Sequence, residues 1–235
     1  LDIAAMSMEE KRQIGIVLGT GGGAQEFSES QYKLWHSGKE KQCSIFCIPS
    51  GTMGTIPSEI SMRFGFRGYS HVVTAGCTSS TDALGYAYQH IQAGVQPMFV
   101  AGGVDSPITE GIVKGYSLLR ALTQSWNEQP ERASRPFSAD RDGFVLAEGS
   151  WMFVLEEYEH AKARGARIYA EIRGYGATCE AFHRVRMSDS PEEPARAITL
   201  ALDEACIAAE DIQYASLHGT STEMNDRVET KALKL

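Results

Sequence analysis

The chain has 235 residues, 43% hydrophobic and 22% charged, enough for one large globular domain or two small ones. Its formal net charge of −8 argues against a nucleic-acid partner, which would need a basic face. No apolar run reaches the length of a membrane span and no signal-peptide pattern opens the sequence, so a cytoplasmic protein without a membrane partner is expected. The five cysteines, Cys43, Cys47, Cys77, Cys179 and Cys206, form no CxxC pair. Neither a disulfide framework nor a metal site is therefore expected, and a reducing compartment suits them.

Residues 1–13 read as helix. Ile14-Gly15-Ile16-Val17-Leu18 is a strand running into Gly19-Thr20-Gly21-Gly22-Gly23-Ala24. That string matches the glycine pattern of a dinucleotide site, and a helix over 25–36 would follow it. No acidic residue closes a second strand about 20 residues later to hold a ribose. A glycine turn where backbone packs closely is the other reading. After a polar loop at 36–43, a helix is expected over 52–64 with Pro57 in its first turn.

Ser70-His71-Val72-Val73-Thr74 is a short β-branched run that reads as a buried strand. From Thr81 to Gln92, Ala83, Leu84, Ala87 and Ile91 recur at helical spacing. Between them lies Ala75-Gly76-Cys77-Thr78-Ser79-Ser80, so Cys77 falls at a strand-to-helix turn, with Gly76 allowing the chain to turn tightly. A helix N-terminus favours a thiolate, and the arrangement is that of a nucleophile elbow built with a thiol. A buried structural cysteine is the competing reading. Residues 96–103 form another buried strand, giving a parallel βαβ unit with the Cys-bearing helix.

Residues 106–122 read as interrupted helix, and 123–149 as a long irregular stretch rich in Pro, Gly, Arg and Asp, a kind of loop that is usually functional. A strand at 151–155, a charged helix at 156–164, a strand at 168–175 and a helix at 192–207 follow. Tyr214-Ala215-Ser216-Leu217 is a strand delivering His218 at its C-terminal end. In parallel α/β sheets, ligands bind at that end.

Three stretches carry a family resemblance: Thr74-Ala75-Gly76-Cys77-Thr78-Ser79-Ser80, then Pro136-Phe137-Ser138-Ala139-Asp140-Arg141-Asp142-Gly143-Phe144-Val145-Leu146-Ala147-Glu148-Gly149, then His218-Gly219-Thr220-Ser221-Thr222 with Asn225-Asp226. In this order and at these separations they resemble the β-ketoacyl-acyl carrier protein synthases, or ketosynthases, from about Gly15 to Leu235. The resemblance implies an α/β fold, a thiolase-like layered αβαβα sandwich of two related halves. Residues 1–160 would be most of the N-terminal half. Residues 161–235 would begin the C-terminal half. The first strand and the later part of the second half, with a second histidine and a lysine, would lie outside the sequence, so this stretch alone would be inactive.

By the same resemblance Cys77 accepts the acyl group and His218 is the first of two active-site histidines. Its Nε2 would donate to the malonyl thioester oxygen. Thr220 and Thr222 would bind the phosphopantetheine arm, their other role being to cap the helix that begins near Asn225. Asp226 and Glu229 would order that loop. His36, His71, His90 and His160 offer no substitute for the missing histidine. The reaction implied is acyl transfer to Cys77, then decarboxylative condensation with malonyl-acyl carrier protein. No cofactor is expected, because 4′-phosphopantetheine arrives on the carrier. The expected partners are that carrier and a second subunit, in a homodimer or a heterodimer with a ketosynthase-like protein. One departure stands at Glu180-Ala181-Phe182-His183-Arg184-Val185-Arg186-Met187, where the family usually has His-Met-Thr. Val185 replaces the threonine, and Arg184 and Arg186 either face the phosphate or acidic carrier or are solvated loop charges.

Details around Cys77, Leu146-Ala147-Glu148-Gly149 and Asn225-Asp226-Arg227 look more like aromatic-polyketide ketosynthases than fatty-acid enzymes. Two other classes compete. A non-elongating ketosynthase-like partner would lack the cysteine. A thiolase using coenzyme A has different histidine motifs.

Overall fold

A computed structural model describes residues 2–235. It divides into two compact units. One comprises residues up to Thr109 with Ala147–Ile172, the other Glu110–Leu146 with Arg173–Leu235.

The first unit is built on a four-stranded sheet of order β2-β1-β3-β4, with β1 Ile14–Gly19, β2 Ser70–Val73, β3 Met98–Asp105 and β4 Gly149–Glu156. β1 pairs parallel with both β2 and β3, and β4 closes antiparallel on β3. Because β1 is central and covered on both faces, every one of its residues is buried, which is why it reads as a continuous apolar run. Alternate side chains feed two cores. Ile14, Ile16 and Leu18 pack with Phe66 and Met98, with Ile56 and Ile60 against them. Val17 packs on the other face with Phe99, Ala101 and the small residues Ala83 and Ala87. The expected βαβ unit is present, with β1 inserted between its two strands.

The helices of this unit in chain order are α1 Met8–Arg12, α2 Gln25–His36, α3 Cys47–Gly51, α4 Ile56–Phe64 and α5 Ser79–Gln92. The helix expected over 1–13 is only α1. Ser7 and Glu10 form a capping box that starts it, with the Glu10 amide donating to Ser7 Oγ at 3.2 Å and the Ser7 amide to Glu10 Oε2 at 2.7 Å. In α4, Pro57 takes the first turn as expected, and Gly65 at φ +76° ends the helix.

In the second unit α6 spans Glu110–Leu118, and after α7 (Tyr158–Ala163, in the first unit) come α8 Glu192–Ala205 and α9 Glu223–Ala232. The stretch 119–148 is irregular, as its composition predicts, apart from a single 3-10 turn at Pro130–Arg132 and a one-residue bridge of Leu122 with Phe144. Two expectations fail: neither 168–175 nor 214–217 is a strand. A strand exists through its ladder, and among the described residues nothing pairs with either stretch. Part of the first lies instead on α8. A Cβ on Gly174 would stand 2.1 Å from the Ala201 carbonyl, and one on Gly176 2.1 Å from that of Ala197.

Candidate active site

Cys77 stands where the sequence places it, in a one-turn 3-10 segment, Gly76–Thr78, between β2 and α5. Gly76 takes φ +67°, a left-handed conformation that costs a side chain dearly. The thiol is exposed, which removes the buried structural reading. The first turn of α5 is seated on bare backbone. A Cβ at Gly19, the last residue of β1, would lie 2.2 Å from the Ser79 carbonyl oxygen, and one at Gly103 of β3 would lie 1.8 Å from Ser80 Oγ. These two glycines, paired across the strands, let the helix bring its N-terminus to the strand ends. Thr78, at the helix cap, makes no side-chain bond to the helix amides. Its hydroxyl goes to Asp82 Oδ2 at 2.7 Å and to the Ala75 carbonyl at 3.1 Å.

The glycine turn after β1 has its own anion. Asp105, the last residue of β3, accepts the Gly21 amide on both oxygens at 3.1 and 3.0 Å, the Gly22 amide at 3.0 Å and Thr20 Oγ1 at 2.9 Å. Amides that a dinucleotide phosphate would require are spent on this carboxylate, so the turn is a packing device. Sequence reasoning misses Asp105 because its partners lie over 80 positions away. The only signal for it is an acid at the C-terminal end of a buried strand.

His218, Thr220 and Thr222 share one loop of the second unit, leading into α9. His218 is exposed, and the two threonines are half-buried with their hydroxyls 2.8 Å apart. Thr222 occupies the N-cap position of α9 but does not cap it through its side chain. Two carboxylates hold the loop. Glu229 accepts the amides of His218 and Gly219, at 2.5 and 2.9 Å. Asp226, only 2% exposed, accepts the Ser221 amide on one oxygen and the Phe137 amide at 2.7 Å on the other. Its charge is met by Arg141 Nε at 3.2 Å, and Arg141 also donates to the carbonyls of Thr222 and Glu223. Phe137 and Ser221 both hold positive φ, +62° and +67°, and each presents its amide to this same carboxylate. Strained backbone of this kind persists where its surroundings over-determine it.

Val185 is exposed, as are Arg184 and Arg186. His183 Nδ1 accepts the amides of Val185 and Arg186, both at 3.0 Å, so the ring proton belongs on Nε2. Arg186 lies over the Phe182 ring at 5.4 Å. Three of the other histidines make local contacts: His71 stacks on Tyr69, His90 Nδ1 meets the Tyr86 carbonyl and His160 meets Glu156.

Comparison with known proteins places the chain in a family. The family model "Beta-ketoacyl synthase, N-terminal domain" matches residues 2–161, and "Beta-ketoacyl synthase, C-terminal domain" matches 169–235. A ketosynthase solved with its type II polyketide acyl carrier protein superposes with a TM-score of 0.90 at 32% identity, over 96% of this chain and 56% of that one. The ishigamide ketosynthase/chain length factor superposes with a TM-score of 0.86 at 30% identity, over 97% of this chain and 55% of that one. The fold is thus the α/β thiolase-like fold of the ketosynthases over the part that this chain covers. The chain belongs to the β-ketoacyl synthase family. The 3-oxoacyl-[acyl-carrier-protein] synthase 2 of Rhizobium meliloti is 40% identical over 229 residues, 97% of this chain but 54% of that protein. The chain therefore spans about half the length of the relatives it matches.

Proposed function

We propose that the protein is a β-ketoacyl-acyl carrier protein synthase in which Cys77 is the acylated nucleophile. The observation that carries this reading is the exposed thiol at a strand-to-helix turn, within the stretch that matches the family's N-terminal domain. The N-terminus of α5 supports a thiolate there, and the thiolate is the reactive form. Attack on an acyl thioester forms the C–S bond and releases the carrier's thiol. The Cys77 backbone N–H can donate to the oxyanion that develops on the way. His218, as the neutral imidazole with Nε2–H, serves the second step. It donates to the malonyl thioester oxygen while carbon dioxide leaves and the enolate forms. Thr220 and Thr222 hold the phosphopantetheine arm, which arrives on the carrier, so the enzyme needs no cofactor of its own.

The halves meet at about residue 160, and the working form is a dimer of two copies or with a ketosynthase-like partner. The compartment is the cytoplasm. Among the described residues no helix is long and apolar enough to cross a membrane. Relatives include both fatty-acid and polyketide enzymes. Ala75-Gly76-Cys77-Thr78-Ser79 and Asn225-Asp226-Arg227 favour the polyketide branch.

The test uses full-length protein. Incubation with acyl-loaded carrier, then peptide mass spectrometry, is expected to place the acyl group on Cys77. An adduct spread equally over Cys43, Cys179 and Cys206 would sink the reading. His218→Ala should still load Cys77 but lose on the order of a hundredfold in carbon dioxide release from malonyl carrier. If it loses loading and keeps decarboxylation, the histidine's role is the reverse.

A further inference from the structure

The side chain that fixes the nucleophile turn is Ser79, two positions after Cys77. Ser79 is 2% exposed, and its hydroxyl is bonded on every side. It accepts the Ala75 amide at 2.8 Å and shares its proton between the carbonyls of Gly76 at 2.6 Å and Thr20 at 3.1 Å. The first two partners flank the turn in front of Cys77. The third belongs to the glycine turn, 59 positions away in sequence. Thr20 is itself fully buried, and its hydroxyl donates to Asp105 and accepts the Gly23 amide at 2.8 Å. The bond from the Ser79 hydroxyl to the Thr20 carbonyl and the bond from the Thr20 hydroxyl to Asp105 therefore meet at Thr20 and join β3, the glycine turn and the turn that bears the thiol.

We propose that Ser79 is a positioning residue for Cys77. Through Thr20 and Asp105 it pins the turn to the sheet and thereby holds the thiol against the first amides of α5. This rests on the reading of Cys77 as nucleophile. The physical reason is directional. The stabilisation a helix end gives a thiolate fades within the first turn, so it depends on the backbone just before the helix being held. Gly76 at φ +67° would otherwise be the softest point of the chain beside the thiol. Without the hydroxyl, the Ala75 amide and Gly76 carbonyl lose their shared partner and the turn relaxes toward water. The charged groups bonded to this network are Asp82 in the first turn of α5 and Asp105 on β3.

The experiment follows alkylation of full-length protein by iodoacetamide from about pH 5.5 to about pH 9.5, peptide by peptide, by mass spectrometry. Ser79→Ala should move the Cys77 midpoint to higher pH. Alkylation near pH 7 should fall roughly tenfold for every whole pH step by which that midpoint rises above pH 7. Exposed Cys179 in the same samples should keep its rate. A folded Ser79→Ala with an unchanged Cys77 profile overturns the proposal, as does an equal change at Cys179. If Ser79→Ala does not fold, Thr20→Val, which keeps the carbonyl that Ser79 bonds but removes the hydroxyl bond to Asp105 that ties it to β3, takes its place under the same criteria. Acyl loading of the wild type is read in parallel. Failure to load Cys77 would remove the functional reading while the alkylation profile still decides the role of Ser79.

Discussion

Several carboxylates in this protein act as acceptors for backbone amides. Asp105 gathers the glycine turn, Asp226 and Glu229 gather the histidine loop, and Glu148 takes the Ile108 amide at 2.8 Å. Asp142 is the case where the ionisation shows it. Burial pulls its pKa up, but the Thr123 hydroxyl and the amides of Gln124 and Ser125, at 3.0 and 2.9 Å, overcome that. The net result holds the carboxyl well below the ordinary aspartate value of 3.8. A group depressed on folding stabilises above its unfolded value and loses that contribution as pH falls through its folded one. Asp142→Asn should therefore melt lower than wild type at neutral pH, with the gap closing as pH drops below 3.8. Melting curves across that range check it, and a gap that widens in acid would refute it.

At the scale of elements, the seat of α5 depends on two missing side chains. A Cβ on Gly19 would meet rigid backbone of Ser79 and Ser80 at 2.2 to 2.4 Å, so α5 must shift or the strand must bend. Gly19→Ala should cost about 3 kcal/mol or abolish folding, by overpacking a tight contact. Gly115→Ala, inside α6 with open space around it, should be neutral or stabilising by up to about 1 kcal/mol. Denaturant midpoints compare them, and equal effects would show that the seat of α5 is not tight. The same contrast explains what could be read from sequence. β1, β3 and α5 carry their burial in local apolar periodicity, and Cys77 announced itself through the turn between two such elements. The stretches 168–175 and 214–217 have strand composition, but pairing depends on a neighbour that local sequence does not specify. Ser79 and Asp105 stayed hidden for a related reason: what makes them important is partners 59 and over 80 positions away.

For the whole molecule the open question is what covers the edge of the sheet at β2. The Ile16 amide donates to Tyr69 and the Thr20 amide to Val73, so odd-numbered residues of β2 bond to β1. In a parallel ladder the even ones, Ser70 and Val72, then present their N–H and C=O groups to the open side. An unprotected edge invites another strand, and a copy of the same strand across a two-fold axis is the symmetric way to satisfy it. β2 leads directly into the turn that bears Cys77, so such a pairing would hold that turn from outside, as the Ser79 hydrogen bonds do from within. Val72→Pro separates edge pairing from the fold. It removes an outward N–H and leaves the bonds to β1, and proline is tolerated on the open side of an edge strand. Sedimentation of full-length protein at micromolar concentration should show a dimer for wild type and a shift toward monomer for Val72→Pro, with the thermal melt of the monomer still cooperative. A monomeric wild type, or a variant that stays fully dimeric, would place the subunit contact elsewhere.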